Sequence, residues 1–423
     1  MRFSHLFTKT SKDAQSDAAS INADLLGRGG YVSKTMAGVY SYLPLGLKVL
    51  KNIEAIVREE MDRIGGQEIL MSALAPKENW MHTGRWNTVD VLFRLPASEG
   101  SEYALNPTHE EVVVPLVQRF VNSYKDLPFS CYQIQTKFRN EPRAKSGVLR
   151  GREFIMKDLY SFHLNQQDLE EYYAVAQGAY DKIWERLSLG ERTYMTYASG
   201  GSFSKYSHEY QVLLPTGEDT IYVSVKAEKE GNRIAVNKEI FEEGKAICPV
   251  TGGTEFRPEK ASEAGNIFQL GTKFSAPFKL AVPDAKGELQ TLVMGCYGIG
   301  ISRLMGILAE AFSDEKGLMW PAAVAPAQVH IVPIAKAVDE EAYAKACALY
   351  EALTEDGIEC IIDDRLDVSV GVKLADADLI GIPMRVIVSP KTLKEGQMEV
   401  KKRSAKEATM MPYDGKALRK ELC

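Results

Sequence analysis

Four residues between positions 139 and 154 combine two cations, a carboxylate and an aromatic ring. Arg139 and Glu141 are two residues apart, so on a strand they would project from the same face, about 7 Å apart. A planar guanidinium can bridge a carboxylate and a phosphate, and it would neutralise charge that gathers in a transition state. Arg150 and Phe154 are four residues apart and suit a γ-phosphate and an adenine ring. An ion pair between strands is the structural alternative for Arg139 and Glu141.

A second segment, Gly298 to Arg303, brings two glycines and an arginine together. It lacks the third glycine of the dinucleotide fingerprint G-x-G-x-x-G, because Arg303 stands at that position, so a Rossmann interpretation fails. Glycines after a strand let a ligand approach the backbone, and Arg303 can lie over the purine face opposite Phe154. The two segments together predict a protein that activates a carboxylate with ATP.

The elements that position these residues follow from the apolar pattern. Two strands joined by the polar loop 140–148 predict a hairpin with a cation-rich connection. Apolar residues at three- and four-residue steps predict amphipathic helices on either side of this hairpin. The predicted strands are Glu68–Leu74, Cys131–Phe138, Arg152–Phe162 and Leu292–Cys296, and the predicted helices are Leu47–Ile64, Val112–Val121, Gln167–Leu187 and Gly298–Ala311.

Two further regions differ in character from this core. Residues 226–253 are charged, rich in glycine and weakly patterned, which indicates a small insertion. Beyond Trp320 and Pro321, strands and helices alternate and predict a compact α/β domain with a parallel beginning. Its predicted strands are Val329–Pro333, Ile358–Ile362, Met384–Val388 and Met398–Arg403, and its predicted helices are Asp339–Thr354 and Ser369–Leu379.

Composition excludes several classes of protein. A formal charge of −6 over 423 residues argues against a wholesale binder of polyanions, so an RNA partner would need local basic patches. No apolar run reaches the length of a membrane span, and the first residues lack the apolar core of a secretory signal. The cysteines form no C-x-x-C pair, which argues against a disulfide framework and a zinc knuckle and favours a reducing cytoplasm. They are Cys131, Cys248, Cys296, Cys347, Cys360 and Cys423.

Several runs carry a resemblance to class II aminoacyl-tRNA synthetases, specifically to prolyl-tRNA synthetases of bacterial type without the large editing domain. Leu47–Pro76 resembles motif 1, Lys137–Phe162 resembles motif 2, and Gly295–Glu310 resembles motif 3. The resemblance covers nearly the whole chain. The runs similar to the proline-specific members are Ala37–Gly46, Pro107–Glu111, Arg152–His163, Phe268–Lys273 and Ala375–Pro383.

The resemblance implies the fold class. Residues 1–322 would form an α+β class II synthetase catalytic domain built on an antiparallel sheet, with a small insertion at about 226–260 in place of an editing domain. Residues 323–423 would form an α/β anticodon-binding domain with a mixed sheet. An alternative of another class is a non-catalytic paralogue that acts as a regulator or accessory subunit, but such a protein loses motif arginines that this chain keeps.

The resemblance also implies roles for individual residues. Arg139, Glu141 and Arg303 would be catalytic, and Arg139 would contact both the α-phosphate and the proline carboxylate. Thr108 and Glu110 would accept hydrogen bonds from the ring nitrogen of proline, with His163 nearby and Cys296 at the pocket floor. Structural alternatives are a His163 satisfied by backbone and a Cys296 that only packs. The ATP site would comprise Arg139, Glu141, Arg150, Phe154, Gln269, Thr272, Gly298, Gly300 and Arg303.

The implied reaction is adenylation of proline by ATP with Mg²⁺, followed by transfer to tRNA(Pro). The Mg²⁺ ligands are not assigned, and no structural zinc is expected. Arg365 and Lys373 would contact the anticodon, although a solvated charged face is the plain alternative. Dimerisation through motif 1 would bury the Leu47–Ile64 helix face, which core packing would explain equally well. The resemblance also implies a cytoplasmic location and no membrane partner.

The chain departs from the family pattern in two places. The hairpin loop reads Glu141-Pro142-Arg143-Ala144-Lys145-Ser146-Gly147 instead of the usual arginine-proline-arginine-phenylalanine run, which leaves its contacts with tRNA open. Residues 226–260 are too few for the domain that hydrolyses mischarged alanyl-tRNA in longer relatives. We therefore expect no editing in cis and reliance on a separate deacylase. Threonine or histidine as the substrate is disfavoured by the Thr108–Glu111 run and by the lack of a zinc-binding cluster.

Overall fold

The computed structural model describes residues 1–13, 20–142, 144 and 146–422. The chain divides into two compact units, the first formed by Met1–Thr35, Tyr40–Asn52 and Leu308–Cys423, the second by Met36–Val39 and Ile53–Ile307. The domain boundary predicted at residue 322 stays a prediction. Arg143 and Lys145 of the predicted hairpin loop lie outside the described residues, as does Cys423.

Helices and strands alternate irregularly along the described part of the chain. Its helices are α1 (Ile21–Arg28), α2 (Pro44–Arg63), α3 (Lys77–His82), α4 (Glu110–Val117), α5 (Gln166–Arg186), α6 (Val225–Lys229), α7 (Ile301–Ala311), α8 (Glu341–Glu355), α9 (Val370–Ile380), α10 (Pro390–Lys394) and α11 (Gly415–Leu422). Strands up to the end of the hairpin are β1 (Val32–Met36), β2 (Val39–Tyr42), β3 (Gly66–Glu68), β4 (Leu74–Pro76), β5 (Phe93–Pro96), β6 (Glu102–Leu105), β7 (Phe129–Phe138) and β8 (Glu153–His163). Those that follow are β9 (Thr193–Ser199), β10 (Tyr206–Leu213), β11 (Asp219–Ser224), β12 (Ile234–Asn237), β13 (Phe256–Gly271), β14 (Ala281–Pro283), β15 (Leu289–Thr291), β16 (Val293–Gly300), β17 (Ser313–Asp314), β18 (Gly317–Leu318), β19 (Val329–Pro333), β20 (Cys360–Ile362), β21 (Met384–Val388), β22 (Gln397–Lys402) and β23 (Thr409–Pro412).

The second unit is built on a large sheet with the strand order β10-β9-β12-β11-β13-β16-β8-β7-β3. Most neighbours are antiparallel, and the parallel pairs are β12 with β9 and β3 with β7. The predicted hairpin is confirmed, since β7 and β8 pair along their whole length with Lys137 opposite Phe154. Helix α5 packs on one face of this sheet through Tyr173, Tyr180 and Trp184, which are buried. The antiparallel catalytic sheet expected from the sequence is therefore present.

The structure corrects three local predictions in this unit. Strand β12 lies between β9 and β11, so the predicted insertion contributes a strand to the central sheet. Gly298 and Gly300 end strand β16, and the helix begins only at Ile301. Of the predicted strand Glu68–Leu74, residues 69–73 form no strand, and only its end residues belong to the short β3 and β4, which lie in different sheets. Each difference comes from pairing with strands distant in sequence, which a local pattern does not contain.

The first unit contains a five-stranded sheet of order β20-β19-β21-β22-β23. Strands β20, β19 and β21 are parallel, and β22 and β23 are antiparallel, which confirms the mixed sheet. Apolar residues from β19, β21 and α8 form its core, among them Ile331, Val386 and Leu349. At the edge strand β20, Ile362 donates its N–H to the carbonyl of Met1, so the first residues of the chain cover that edge.

No helix within the described residues is long and apolar enough to cross a membrane.

Candidate functional site

A cavity of about 440 Å³ in the second unit collects most of the residues singled out in the sequence. It lies on the face of the large sheet opposite helix α5, along β8, β13 and β16. This face carries the even-numbered side chains of β8, because successive strand residues point to opposite faces. The predicted residues that line the cavity are Thr108, Arg139, Glu141, Arg150, Phe154, Cys296, Gly298, Gly300 and Arg303.

Arg139 and Phe154 meet at the end of the hairpin. The guanidinium carbon of Arg139 lies 5.2 Å from the centroid of the Phe154 ring. The pairing of β7 with β8 fixes this contact, since Phe138 lies opposite Glu153 and the Arg139 N–H donates to the Arg152 carbonyl at 2.8 Å. Burial, together with the nearby charge of Arg303, lowers the pKa of Arg139. A cation and a ring are thus offered side by side to a ligand in the cavity.

Arg303 is held by three oxygen acceptors beside the same cavity, one of which is the Glu263 carbonyl at 3.0 Å from Nη1. Its Nε donates to the Leu149 carbonyl at 2.8 Å, and its Nη1 donates to the Glu263 carboxylate at 2.9 Å. A Cβ built on Gly298 would meet only a carbonyl oxygen at 3.7 Å, so this glycine leaves the cavity open in front of Arg303. Sequence analysis gave Glu263 no role. The sequence feature that could have identified Glu263 is an acidic residue in the strand that precedes motif 3.

Glu141 pairs with Arg150 across the mouth of the hairpin. The Nε of Arg150 lies 3.0 Å from the Glu141 carboxylate, and its Nη1 lies 3.9 Å from the Glu218 carboxylate. Arg152 donates to the Glu141 carbonyl at 3.0 Å. The ion pair considered as the structural alternative therefore exists, with Arg150 as the partner of Glu141. A triphosphate could replace either carboxylate as the partner of Arg150.

A small anionic pocket, called here the Glu110 pocket, adjoins the cavity where Thr108 and Cys296 line it. Glu110 is fully buried in the first turn of α4, where the helix N-terminus favours a carboxylate. Thr108 donates its hydroxyl to one carboxylate oxygen, and Cys296 donates its thiol to the other at 3.3 Å. Burial and the Glu110 charge raise the pKa of Cys296, so the thiol stays protonated and acts as a donor. A small cationic group bound against Thr108 and Cys296 would therefore lie close to the Glu110 carboxylate.

Glu111 forms a separate buried ion pair behind this pocket. Its carboxylate accepts from the Arg85 guanidinium at 2.8 Å and from the Thr83 hydroxyl at 2.9 Å. Burial raises the pKa of Glu111, while Arg85 acts in the opposite direction. The Arg85 guanidinium also lies within 5.4 Å of the ring centroids of Trp80, Phe203 and Phe274. This pair holds the start of α4 and hence the position of Glu110.

A polar network that sequence analysis missed lies beside the Glu110 pocket, and its Asp158 lines the cavity. The Lys137 ammonium is 2.7 Å from the Asp158 carboxylate, and both side chains are buried. Asp158 also accepts from the Tyr160 hydroxyl at 2.9 Å and from the Gln133 amide at 3.1 Å. Burial opposes ionisation of Asp158, but the Lys137 charge outweighs it and lowers the pKa of this carboxyl. The available signal was a lysine and an aspartate inside two apolar strands.

Three residues predicted for the site lie elsewhere. His163 is nine residues after Phe154 on β8, so it faces helix α5, where it contacts Ser161 at 2.8 Å and packs against the Tyr172 ring. Burial lowers the pKa of His163 to about 4. Gln269 lies opposite Gly295, on the face away from Cys296, and accepts from the Gln166 amide; Thr272 is exposed. Strand alternation places His163 and Gln269 on the face away from the cavity, Thr272 lies beyond the end of β13, and none of the three lines the cavity.

Arg365 and Lys373, the predicted tRNA contacts, lie in the first unit. The Lys373 ammonium is buried and donates to the Pro333 and Asp363 carbonyls. Arg365 donates to Asp363 and Asp376, and its guanidinium lies 4.1 Å from the Phe3 ring centroid. Both cations are thus engaged within the unit, and their contact with tRNA stays a prediction.

Comparison with protein families assigns both parts of the chain. Residues 93–312 match the tRNA synthetase class II core domain (G, H, P, S and T), and residues 328–416 match an anticodon-binding domain. A proline–tRNA ligase of a Wolbachia strain from Drosophila simulans is 38% identical over 425 residues, which cover 98% of each chain. The proline–tRNA ligase of Syntrophomonas wolfei is 33% identical over 566 aligned positions, which cover 100% of this chain and 99% of the relative.

Solved structures show the same fold at low sequence identity. A Giardia lamblia prolyl-tRNA synthetase in complex with prolyl-adenylate superposes with a TM-score of 0.77 at 21% identity, covering 94% of this chain and 77% of that one. A Cryptosporidium parvum prolyl-tRNA synthetase complexed with L-proline and AMP gives a TM-score of 0.76 at 19% identity, covering 95% and 74%. From its class II core, its anticodon-binding domain and its full-length curated relatives, the chain belongs to the proline–tRNA ligase family of class II tRNA synthetases.

Proposed function

We propose that this protein activates proline with ATP to prolyl-adenylate and transfers the prolyl group to tRNA(Pro). One observation carries the proposal: a single cavity is lined by Thr108 and Cys296, which both hydrogen-bond to Glu110, and by Arg139, Phe154 and Arg303. An ammonium group and a nucleotide could therefore bind on either side of one reacting carboxylate. Names of the relatives and neighbours described above support the same substrates.

Proline suits the anionic pocket because its protonated ring nitrogen offers two hydrogen-bond donors. Glu110 would accept one and neutralise the charge, and Thr108 would accept the other. The Cys296 thiol limits the depth of the pocket, since it is already in contact with Glu110. A carboxylate attached to this ring would point toward Arg139, whose guanidinium lines the same cavity. Binding would thus fix both charged groups of the amino acid.

Adenylation requires that a proline carboxylate oxygen attack the α-phosphorus while pyrophosphate leaves. Arg139 would bind the carboxylate and the α-phosphate, Phe154 and Arg303 would hold adenine between them, and Arg150 would bind the γ-phosphate. The terminal ribose hydroxyl of tRNA would then attack the prolyl carbonyl and release AMP. Catalysis would come from position and charge, and no covalent enzyme intermediate is needed.

The residues around Glu209 fit a magnesium ion bound together with substrate phosphates. Burial and the neighbouring Glu263 charge raise the pKa of Glu209 to about 8, and both carboxyl groups line the cavity. Among the described residues, no three histidine, cysteine or acidic side chains could hold a metal ion by themselves. Mg²⁺ commonly uses one or two carboxylates plus phosphates, so Glu209 and Glu263 would hold it and the ion would offset phosphate charge.

We also propose that the chain does not edit mischarged tRNA in cis. Residues 238–255 contain neither helix nor strand. The Syntrophomonas relative aligns over 566 positions against 423 here, so more than a hundred of its residues have no counterpart. Exclusion of a smaller amino acid by burial is worth only about 1–3 kcal/mol, so alanine activation and a separate deacylase are expected. Rapid clearance of Ala-tRNA(Pro) by the purified protein would contradict this.

A homodimer and a cytoplasmic location complete the proposal. The apolar face of α2 is already buried in the single chain, as Val49, Ile53 and Val57 show. This favours core packing as the role of that face, so the expected dimer needs another surface. Sedimentation equilibrium at micromolar protein concentration would measure the oligomeric state directly.

ATP–pyrophosphate exchange across the twenty amino acids tests the activity. Proline should support exchange far above the other amino acids, with weaker exchange on alanine. The Arg139→Ala variant should lose exchange by about a hundredfold or more, because its charge stabilises the transition state. A wild-type protein without proline-dependent exchange would instead favour the non-catalytic paralogue.

A further inference from the structure

The buried Lys137–Asp158 pair connects directly to the turn that carries Glu110. The Lys137 ammonium contacts the Nδ1 atom of His109 at 2.7 Å, and the other ring nitrogen of His109 contacts the Ser72 carbonyl at 3.1 Å. An ammonium can only donate, so Nδ1 accepts and the ring proton lies on Nε2. The backbone N–H of His109 donates to the Tyr160 hydroxyl at 3.0 Å, and this hydroxyl in turn donates to the Asp158 carboxylate. The network therefore ends one peptide bond from Glu110.

The charges in this network are arranged around two carboxylates and one lysine. Glu110 accepts from two uncharged donors, the Thr108 hydroxyl and the Cys296 thiol. Lys137 is paired with Asp158 instead, at 2.7 Å. Burial lowers the pKa of Lys137, whereas the Asp158 and Glu110 charges both raise it, so Lys137 interacts with both carboxylates. Asp158 decides which of them this cation neutralises.

A bound proline would bring a second cation to the same place. With Asp158 ionised, the ammonium of Lys137 is already neutralised, and Glu110 can receive the ring nitrogen of the substrate. Without the charge on Asp158, the Lys137 ammonium would repel the ring nitrogen of the substrate. It would also neutralise the Glu110 carboxylate, which the substrate nitrogen would otherwise do. In the low dielectric of a buried site, such an exchange of partners changes affinity strongly.

We infer that Asp158 is a positioning residue that neutralises Lys137 and thereby leaves the charge of Glu110 available for the secondary ammonium of the substrate. The inference rests on the proposed function. It gives the Lys137–Asp158 pair a role in amino-acid recognition that differs from that of Arg139, which would bind the proline carboxylate and the α-phosphate.

The test uses three variants of the full chain in ATP–pyrophosphate exchange. Asp158→Asn should raise the KM for proline by about tenfold or more and change the KM for ATP by less than about twofold. Lys137→Met with Asp158→Asn removes both charges at nearly constant volume, and it should return the KM for proline to within about threefold of wild type. Gln133→Leu is the control: it removes a neutral donor from the same carboxylate, together with the acceptor of the Met71 N–H, and it should leave the KM for proline within about threefold.

Rescue by the second substitution separates charge balance from a structural role. A structural role would make the double variant at least as impaired as Asp158→Asn. An unchanged KM for proline in Asp158→Asn, or a double variant no better than it, overturns the inference. Should Asp158→Asn fail to fold, the double variant decides alone: a KM for proline near wild type supports the inference, and a tenfold increase overturns it. Failure of wild-type exchange would concern the proposed function instead.

Discussion

Replacing Arg85 by methionine should destabilise the second unit in a way that depends on pH. The substitution keeps most of the apolar volume and leaves the Glu111 carboxylate buried without its cation. In the folded variant, the unpaired negative charge of Glu111 can be removed only by protonation of the carboxylate. Protonating a carboxyl of ordinary pKa at pH 7 costs about 4 kcal/mol, which sets the expected loss of unfolding free energy there.

The sign of the pH dependence follows from linkage. In the variant, the folded-state pKa of Glu111 is raised above its unfolded value, so the folded chain holds the proton over a wider range of pH. The contribution of this bound proton to the stability of the variant is fully present below the unfolded pKa, at about pH 4, and it is lost as pH rises, by up to about 1.4 kcal/mol per pH unit. At pH 4.5 the difference from wild type should fall to about 1 kcal/mol, the value of the lost contacts with Trp80, Phe203 and Phe274.

Urea unfolding followed by tryptophan fluorescence would measure this, because Trp80, Trp86 and Trp184 all belong to the second unit. Arg94→Met is the matched control: this guanidinium is exposed and lies 5.6 Å from the Trp86 ring centroid, so the loss should be below about 0.5 kcal/mol at either pH. Adding Glu111→Gln to Arg85→Met should remove most of the pH dependence. A deficit for Arg85→Met that is the same at pH 4.5 and pH 7 would refute the reasoning.

Three further predictions test other parts of the molecule. Gly46→Ala should lower the melting temperature of the first unit, because its Cβ would collide with the Tyr31 carbonyl oxygen and overpacking costs about 1–3 kcal/mol. Gly178 is exposed in α5 and a Cβ there would meet no atom within 4 Å, so Gly178→Ala should instead stabilise by up to about 1 kcal/mol. Burial lowers the pKa of His330 to about 4, so below pH 6.5 the unfolded chain binds a proton that the folded chain does not, and stability is lost as pH falls. Between pH 7.5 and pH 5, His330→Leu should therefore gain about 2 kcal/mol of stability relative to wild type, as measured by thermal unfolding. An identical pH dependence of stability in the two proteins would contradict this. Arg303→Met should reduce kcat/KM for ATP by about a hundredfold in exchange assays while the KM for proline changes little, and a selective effect on proline would exclude the adenine role.

The elements that sequence analysis predicted well are bounded by local signals. Strands Val329–Pro333 and Met384–Val388 were predicted with their observed ends, because each is an apolar run closed by a proline or a serine. The hairpin strands differ from the prediction by two residues or fewer. Helix α4 begins at Glu110, two residues before the predicted start at Val112, and ends at Val117, four residues before the predicted end.

The rest depended on pairing between distant segments. Gly298 and Gly300 were predicted in a helix, but they lie opposite Asp158 and Met156 of β8, and glycine carries little local preference to indicate this. For His163 the information was present in the sequence: nine residues separate it from Phe154, so strand alternation already placed the two on opposite faces. The family resemblance placed His163 near the substrate, whereas strand alternation and the structure both place it on the face opposite Phe154.

The first unit is assembled from segments that flank the second in sequence. On the ribosome, residues 53–307 are complete before the strands from β19 to β23 exist, so the second unit can fold while Phe3 and Tyr31 still lack the partners that bury them. Those early residues must remain unpaired and soluble for the time needed to synthesise some three hundred further residues, about 15–60 s at ordinary elongation rates. Co-translational assembly of the first unit is thus a late, non-local event, and the early apolar residues are where a chaperone would be needed most.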